Sequence, residues 1–412
     1  MNTNKRYKWE VLFLLWIAFF LNQADRQIFN VVLPSIKADM HLTDVEIGLI
    51  ATIFNLVFAL FVPISGILGN SWSKKWIIIF SIILWSGATM LTGISSTLLM
   101  FILFRSTATG LGEAMFGPAN YSLLAGYHKE TRAFAMSIHQ TAYYVGIIAS
   151  GFLAGYIAEN WGWRNAFYVF GAVGVVHGIY MIFRLKDKKS EPTTEEEKPK
   201  LTEAILILFK TPTALILTIA FSGLIFVLVG YLTWTPTYLY ENFSLSLSKA
   251  GFMSMFFTHI AAFVGIFFAG KFSDKLAERY PQKRMLLQAI GLLAAIPFIL
   301  LVGQSTTLLP VYIGLAGFGF ARAFFDANTY SVLFDVIPEK YHSSASGMMQ
   351  MIGFSVGSLS PLVLGYLKPQ IGLASGISLL SVVWLVCAII LFIGYRRFYK
   401  KDFEKLQLTL KK

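Results

Sequence analysis

The chain is poor in charged residues and contains a single cysteine. Asp, Glu, Lys and Arg make up 14% of its 412 residues, whereas about 25% is usual in soluble proteins. Cys387 has no second cysteine in the chain to pair with, so a disulfide framework and a cysteine metal site are both excluded. The shortage of charge argues against a soluble globular protein.

Motifs of catalysis are missing as well. The sequence has no phosphate-binding loop, no His-Glu-x-x-His zinc spacing and no Ser/His/Asp order that would suggest a catalytic triad. These absences argue against ATP hydrolysis and metal-dependent proteolysis. We therefore expect no enzyme activity, no cofactor and no metal site.

Long apolar segments are abundant. Hydrophobic residues form 56% of the chain, and a helix needs about 20 apolar residues to cross the roughly 30 Å hydrocarbon core of a bilayer. The first segment continues from residue 9 to residue 34 with no small-residue cleavage site, which is typical of a spanning helix and not of a signal peptide. We predict an all-α membrane protein with twelve transmembrane helices, at residues 9–32, 46–70, 74–95, 97–125, 133–158, 164–184, 211–240, 248–273, 284–303, 306–335, 343–367 and 371–395.

Almost all of the positive charge lies between these segments or at their ends. The formal net charge is +12, and the Lys and Arg residues are divided unevenly between alternate connections. By the positive-inside rule, this predicts a multi-pass protein of the cytoplasmic (inner) membrane with both termini cytoplasmic, and it leaves no basic face for nucleic acid. The predicted cytoplasmic connections hold Lys5, Arg6, Lys8, Lys74, Lys75, Lys129, Arg132, Arg184, Lys186, Lys188, Lys189, Lys271, Lys275, Arg279, Lys283, Arg284 and the tail, whereas the opposite ones hold Lys37, Arg164, Lys249 and Lys368.

One long polar stretch, residues 186–200, divides the apolar segments into six and six. Residues 190–199 include no hydrophobic side chain, which is typical of a linker. We predict an N-terminal six-helix bundle at residues 1–185, a cytoplasmic linker at 186–204, a C-terminal six-helix bundle at 205–395 and a basic cytoplasmic tail at 396–412.

The two halves resemble each other in sequence. Residues 113–124 align with residues 322–333 at an offset of 209 (322 minus 113), and Gly155-Tyr156 aligns with Gly365-Tyr366 at 210 (365 minus 155). Parallel repeats place a binding site at their interface near the middle of the membrane. Chance similarity among apolar helices is the alternative explanation.

Three short segments carry a family resemblance. They are Gly66-Ile-Leu-Gly-Asn-Ser-Trp-Ser-Lys-Lys75, its second-half partner Gly270-Lys-Phe-Ser-Asp-Lys275, and Arg105-Ser-Thr-Ala-Thr-Gly-Leu-Gly112. With them the chain resembles the major facilitator superfamily over nearly its whole length. The resemblance implies two pseudo-symmetric bundles around a cavity for a small molecule, with gating or structural roles for Gly66, Asn70, Arg105, Gly270 and Asp274.

The superfamily normally has an aspartate at the position of Asn70. We expect this departure to weaken the charge latch on that side, whereas Asp274 keeps the acid in the second copy. The superfamily uses its helix-four arginine to brace helix one, and that is the role implied for Arg105.

Two further segments narrow the resemblance. Asn22-Gln-Ala-Asp25-Arg26 together with Gly112-Glu113-Ala114 is similar to the anion:cation symporters and to the spinster-like lysolipid transporters. The first similarity implies a proton-coupled symporter of a small organic anion, such as a hexuronate or an aldonate. The second implies, as the alternative, a carrier of lysolipid or another amphipathic substrate. A membrane enzyme or receptor that moves no substrate is a third class, and the two-fold repeat gives it no support.

Ionisable residues inside the membrane are candidates for function, because a charge at the bilayer centre costs about 3 kcal/mol or more. Asp25 lies too deep in its segment to reach the surface, and Glu113 follows Gly110 and Gly112, which let a neighbouring helix approach closely. We predict that both carboxylates bind the coupling proton. A permanent ion pair for Asp25 and a hydrogen-bonded packing role for Glu113 are the alternatives.

Two arginines are predicted to bind an organic anion. In the anion:cation symporters the arginine equivalent to Arg26 contacts the substrate's carboxylate, and neutralising Asp25 or Glu113 is its alternative role. Arg322 occupies the repeat position of Glu113, so pseudo-symmetry would set the two across one cavity, where a substrate carboxylate could compete with Glu113 for Arg322. An intrahelical pair between Arg322 and Asp326 at i,i+4 is the alternative.

The other predicted substrate contacts are polar or aromatic side chains: Asn22, His139, Gln140, Tyr143, Trp234, Asp326, Asn328 and Gln350. Amide and imidazole groups suit the hydroxyl groups of a polar ligand, and a sugar ring stacks well on an aromatic face. Packing inside a bundle is the alternative for the aromatic residues. We expect a monomer whose partners are a small-molecule substrate, protons and the lipid bilayer.

Overall fold

A computed structural model describes residues 5–128, 130–187 and 201–410 of the chain. Most of the predicted linker, residues 188–200, lies outside the described residues. The first half forms six long helices, α1 (Lys5–Met40), α2 (Asp44–Ser71), α3 (Lys74–Gly93), α4 (Leu98–Tyr127), α5 (Arg132–Trp161) and α6 (Trp163–Arg184).

The second half contains further long helices together with short ones. They are α7 (Leu201–Lys210), α8 (Pro212–Phe243), α9 (Leu247–Ala277), α10 (Lys283–Gln304), α11 (Leu308–Asp326), α12 (Thr329–Phe334), α13 (His342–Gly357), α14 (Ser360–Arg397) and α15 (Tyr399–Leu410).

Ten segments of the described residues are long and apolar enough to cross a membrane. α1 is not among the ten, because its polar residues 22–27 lower its mean hydropathy. The last of the ten, Glu339–Arg397, has 59 residues, far more than the about 20 that one crossing needs. Since this segment holds two crossings, all twelve predicted segments lie on helices, and the predicted all-α membrane fold is confirmed.

Two glycines with positive φ mark the same turn in both halves. Gly162 ends α5 with φ +88°, and Gly372 interrupts α14 with φ +75°. Glycine adopts this backbone conformation without the steric cost that other residues meet. The two positions are 210 residues apart (372 minus 162), which is the offset of the sequence repeat.

The chain forms two compact units. The first unit comprises Met1–Thr194 and Leu232–Met255, and the second comprises Glu195–Tyr231 and Phe256–Lys412. In the first unit α1 packs along α5, α3 packs along α6, and α4 packs against α2 and α3. In the second unit α10 packs against both α11 and α14.

Glycines bring α4 close to its neighbours in the first unit. A Cβ atom on Gly112 would lie 2.9 Å from the backbone nitrogen of Trp85 in α3. A Cβ atom on Gly110 would lie 3.1 Å from the carbonyl oxygen of Phe54 in α2. This close packing draws Glu113 into the interior, where its side chain is 0% exposed.

The end of α5 is fastened to the start of α9, also within the first unit. Glu159 accepts hydrogen bonds from the backbone nitrogen of Ser248 at 3.0 Å and from the Ser248 hydroxyl at 2.8 Å. Its carboxylate therefore caps the free N–H groups at the N-terminus of α9, where a negative charge is favourable. Nearby, a Cβ atom on Gly151 would lie 2.7 Å from the carbonyl oxygen of Gly251, so the two backbones are in contact.

Candidate functional site

The candidate site in the first unit begins with Asp25 on α1. Its side chain is buried, and its Oδ2 accepts a hydrogen bond of 2.7 Å from the hydroxyl of Thr89 on α3. Its Oδ1 is buried and has no hydrogen-bond partner among the described residues. Arg105 is the cation whose charge acts on Asp25, but its guanidinium donates to the carbonyl oxygen of Arg26 and not to Asp25. Asp25 is therefore held by a neutral hydroxyl and not by a salt bridge.

Arg26 points in another direction and pairs with Glu113 of α4. The guanidinium Nε lies 2.5 Å from the Glu113 Oε2. The Arg26 side chain is 20% exposed, whereas that of Glu113 is fully buried. The guanidinium carbon also lies 4.0 Å from the centre of the Phe58 ring. Arg26 is therefore the accessible member of the pair, and Glu113 is the buried one.

Arg105 joins α4 to α1 behind this pair. It lies in a π-helical segment of α4, Ile102–Ala108, and such segments occur frequently at functional sites. Its Nη2 donates a hydrogen bond of 3.2 Å to the carbonyl oxygen of Arg26, and its guanidinium carbon lies 4.2 Å from the centre of the Phe54 ring. These contacts are the kind that a bracing role requires.

Asn22, Asp25, Arg26, Arg105 and Glu113 together are called the Arg26 cluster. Several of their buried polar atoms have no hydrogen-bond partner among the described residues. They are Asn22 Nδ2, Asp25 Oδ1, Arg105 Nε and Nη1, and Glu113 Oε1. Buried polar atoms in proteins almost always have a partner, either protein or water. A concentration of unsatisfied donors and acceptors around two carboxylates and two guanidinium groups suits bound water, a moving proton or a polar ligand.

In the second unit, Arg322 and Asp326 form a pair within α11. The Arg322 Nε lies 3.1 Å from the Asp326 Oδ2, and the two side chains are 5% and 28% exposed. This is the i,i+4 pair that the sequence left open as an alternative. A place for Arg322 opposite Glu113 stays a prediction.

His139, a predicted substrate contact, lies in the packed interior of the first unit. Its side chain is fully buried, and its ring stacks on Phe19 at 4.8 Å with an interplanar angle of 8°. Its Nε2 lies 3.0 Å from the Asn120 Nδ2. The imidazole therefore packs against α1 through Phe19 and against α4 through Asn120. The next residue, Gln140, is exposed.

The other predicted contacts occupy varied surroundings. Tyr143 is half-buried, with its ring 5.1 Å from that of Tyr144. Trp234 is fully buried. The buried Asn328 donates to the carbonyl oxygen of Phe324 at 2.8 Å and accepts from Ser273, so its amide is occupied by the protein itself. Gln350 is half-buried on α13.

The predicted gating loops are partly described. Asp274 lies 3.2 Å from Arg284, whose guanidinium also lies 3.5 Å from Asp335. Burial raises the pKa of Tyr399, so its hydroxyl stays protonated and donates to Asp335 at 2.6 Å. A Cβ atom on Gly270 would meet open space. The surroundings of Gly66 and of the Asn70 side chain lie outside the described part of the structure.

Several residues of the site were not predicted from the sequence. Thr89 carries the hydrogen bond to Asp25, and Phe54 and Phe58 flank the guanidinium groups of Arg105 and Arg26. Threonine and phenylalanine are ordinary in apolar segments, and nothing in their spacing distinguishes them. Three-dimensional proximity to Asp25 and Arg26 is the signal that identifies them.

Known proteins are similar to this chain in sequence. The family model described as Major Facilitator Superfamily matches residues 15–361 and, separately, 264–407. A hexuronate transporter of Bacillus subtilis is 25% identical over 406 residues, covering 94% of each chain. Protein spinster homolog 1 of Xenopus tropicalis is 24% identical, covering 98% of this chain and 83% of that protein.

A solved structure supports the same fold. The crystal structure of a bacterial homolog to the human lysosomal transporter Spinster, in an inward-facing and unoccupied conformation, superposes with a TM-score of 0.84. It is 21% identical in sequence and covers 97% of this chain and 99% of its own. At this identity the likeness concerns the fold alone.

Proposed function

Since the chain belongs to the Major Facilitator Superfamily, we propose that it is a proton-coupled symporter of a small organic anion, such as a sugar acid of the hexuronate or aldonate type. The observation that carries this proposal is the pair between the accessible Arg26 and the buried Glu113. A relative that is 25% identical to this chain is named a hexuronate transporter, which supports the proposal.

The pair suggests how anion binding and proton binding are linked. A substrate carboxylate that takes the guanidinium of Arg26 leaves Glu113 without its direct counter-charge. A buried carboxylate that loses its cation is strongly destabilised, and binding a proton removes that charge. The anion and the proton therefore favour each other, which is the condition for symport.

Asp25 is proposed as a second proton site. It is buried, holds a hydrogen bond from Thr89 and has no direct salt bridge among the described residues. Its charge and that of Glu113 act on each other, so protonation of one eases ionisation of the other. The two carboxylates then work as one coupled proton-binding system.

Alternation would move residues 1–185 against residues 205–395, with the linker and both termini on the cytoplasmic side of the inner membrane. The excess of Lys and Arg in alternate connections supports this orientation. The contact of α5 with α9 through Gly151 and Gly251 is of the close kind that rocking helices form and release. Arg322, Asp326, Gln140 and Gln350 are proposed as substrate contacts from the other helices, and the transporter is proposed to act as a monomer.

The alternative is a spinster-like carrier of lysolipid or another amphipathic substrate. The rings of Phe54 and Phe58 lie within 5.7 Å and 4.0 Å of the Arg26 guanidinium carbon. A cation beside aromatic faces suits a ligand with one charged end and an apolar body. A relative named spinster homolog 1 gives this alternative further support.

Uptake by purified protein in liposomes tests both proposals. We expect D-glucuronate, D-galacturonate or D-gluconate to accumulate when the outside is more acidic, and lysophosphatidylcholine not to be moved. Glu113→Gln should keep substrate exchange but lose accumulation driven by the pH gradient. Arg184→Gln is the matched control, because its pair with Glu10 lies outside the Arg26 cluster. Movement of the lysolipid alone, or sugar-acid uptake indifferent to the proton gradient, would overturn the proposal.

A further inference from the structure

The second unit carries an apolar groove that is separate from the ionisable cluster. The groove has a volume of about 530 Å³ and runs between α8, α13 and α14. Phe209, near the end of α7, lines the part nearest the start of α8. Its volume falls within the range of about 300–1,000 Å³ that is usual for small-molecule sites.

The groove walls offer almost nothing to a polar ligand. The hydroxyl of Thr218 donates to the carbonyl oxygen of Ala214 at 2.8 Å, and that of Ser222 donates to the carbonyl oxygen of Thr218 at 2.8 Å. Both hydroxyl protons are therefore used within α8. Since an unpaired polar group is costly in such surroundings, a sugar acid is a poor occupant and a hydrocarbon chain is a good one.

The groove is open on the side. Ile219, Val356, Val382 and Val386 line it and are 46%, 42%, 52% and 49% exposed. In a chain that spans a membrane, exposed apolar side chains of this kind suit contact with lipid tails, which are equally apolar. An acyl chain lying here would contact three helices at once, and not only a single helix surface.

One end of the groove is basic. Lys210 directly follows Phe209, and Arg397 lies seven residues (397 minus 390) beyond the lining residue Ile390, on the same face of α14. Asp402 of α15 accepts hydrogen bonds from the Thr213 backbone nitrogen at 2.9 Å and hydroxyl at 2.6 Å. This contact holds the basic start of α15 beside the first turn of α8, where Lys and Arg attract anionic lipid.

We propose that this groove binds a phospholipid with an anionic head group. One acyl chain lies between α8 and α14, and the phosphate lies at Lys210 and Arg397. The apolar walls select the chain, and the cations at one end select the head group. The groove contains no residue of the Arg26 cluster, so lipid binding in the groove does not require the transported substrate.

Lipid binding to the full chain tests the proposal. Delipidated protein in detergent is titrated with dioleoyl phosphatidylglycerol or dioleoyl phosphatidylcholine, and bound lipid is measured by native mass spectrometry. We expect the anionic lipid to bind at least about tenfold more tightly. Lys210→Gln with Arg397→Gln should remove that preference, whereas Lys271→Gln with Lys275→Gln, exposed at the end of α9, should keep it.

A second variant tests the groove itself. Val386→Trp fills the groove and should weaken phosphatidylglycerol binding by at least about tenfold, whereas Leu385→Trp, 41% exposed but outside the groove, should not. Val382→Phe replaces Val386→Trp if the latter does not fold. Equal affinity for the two lipids, or unchanged binding in the charge or groove variants, would overturn the proposal.

Discussion

The Arg26–Glu113 pair of the first unit and the Arg322–Asp326 pair of the second unit are built differently. Arg26 on α1 reaches Glu113 on α4 at 2.5 Å, and the pair depends on the tight packing of α4. Arg322 and Asp326 stand one turn apart on α11 at 3.1 Å, so they can meet as soon as that helix forms. A pair between two helices changes when the helices move, whereas a pair within one helix travels with it.

The two pairs also differ in their access to solvent. Glu113 is 0% exposed, whereas Asp326 is 28% exposed. Losing the arginine should therefore cost less at the partly exposed Asp326 than at the fully buried Glu113. We expect the first pair to control stability and coupling, and the second to act locally.

The largest effect is expected from Arg26→Gln. Removing one partner of a buried pair costs about 3–5 kcal/mol, because the other charge stays buried and uncompensated. The loss of thermal stability should be greatest at pH 8 and smaller at pH 5.5, where Glu113 can take up a proton. Thermal unfolding in detergent measures it, and Arg26→Gln combined with Glu113→Gln should recover most of the loss. Full stability of the single variant at pH 8 would show that the pair is not a buried unit.

Gly112→Ala is expected to have the next largest effect. The new Cβ would lie 2.9 Å from the Trp85 backbone nitrogen, so α3 and α4 must separate. Overpacking of this kind costs about 1–3 kcal/mol and should shift Glu113 away from Arg26. The control is Gly117→Ala on the same helix, where a Cβ meets nothing within 4 Å. Equal melting temperatures for Gly112→Ala and Gly117→Ala would show that the Arg26–Glu113 pair does not depend on the close contact at Gly112.

Thr89→Val should have a moderate effect on the first unit. The variant removes the hydroxyl that donates to Asp25 at 2.7 Å, and a typical hydrogen bond contributes about 0.5–1.5 kcal/mol to stability. The pH dependence of uptake should change with it, since Asp25 loses its donor. Thr92→Val is the matched control, because the Thr92 hydroxyl bonds only within its own helix, to the Ala88 carbonyl at 2.8 Å. An unchanged pH profile in Thr89→Val argues against proton binding at Asp25.

Arg322→Gln is expected to have the smallest effect on stability, about 1 kcal/mol or less, because Asp326 is partly exposed and the pair lies within one helix. Substrate affinity gives an independent readout. If Arg322 anchors the anion, affinity for the sugar acid falls while melting hardly changes. Unchanged affinity would remove Arg322 from the substrate site and leave Arg26 as the anchor.

Much of the fold was predictable, because long apolar runs can be satisfied in a membrane only as helices. The ionisable residues Asp25, Arg26 and Glu113 were also identifiable, since such charges are rare in apolar segments. Their pairing was not, because it depends on which faces of α1 and α4 meet. The stacking of His139 on Phe19 could not be predicted for the same reason, because the sequence does not show which ring a histidine contacts.

The left-handed turn at Gly372 affects how sidedness should be mapped with reporter fusions. A count of ten crossings takes Glu339–Arg397 as one crossing and leaves out α1, whereas the full count is twelve. Both numbers are even. A reporter at the C-terminus therefore lies on the same side as the N-terminus under either count. Reporters in the loops between α2 and Gly372 would lie on opposite sides under the two counts, so only an internal fusion distinguishes the topologies.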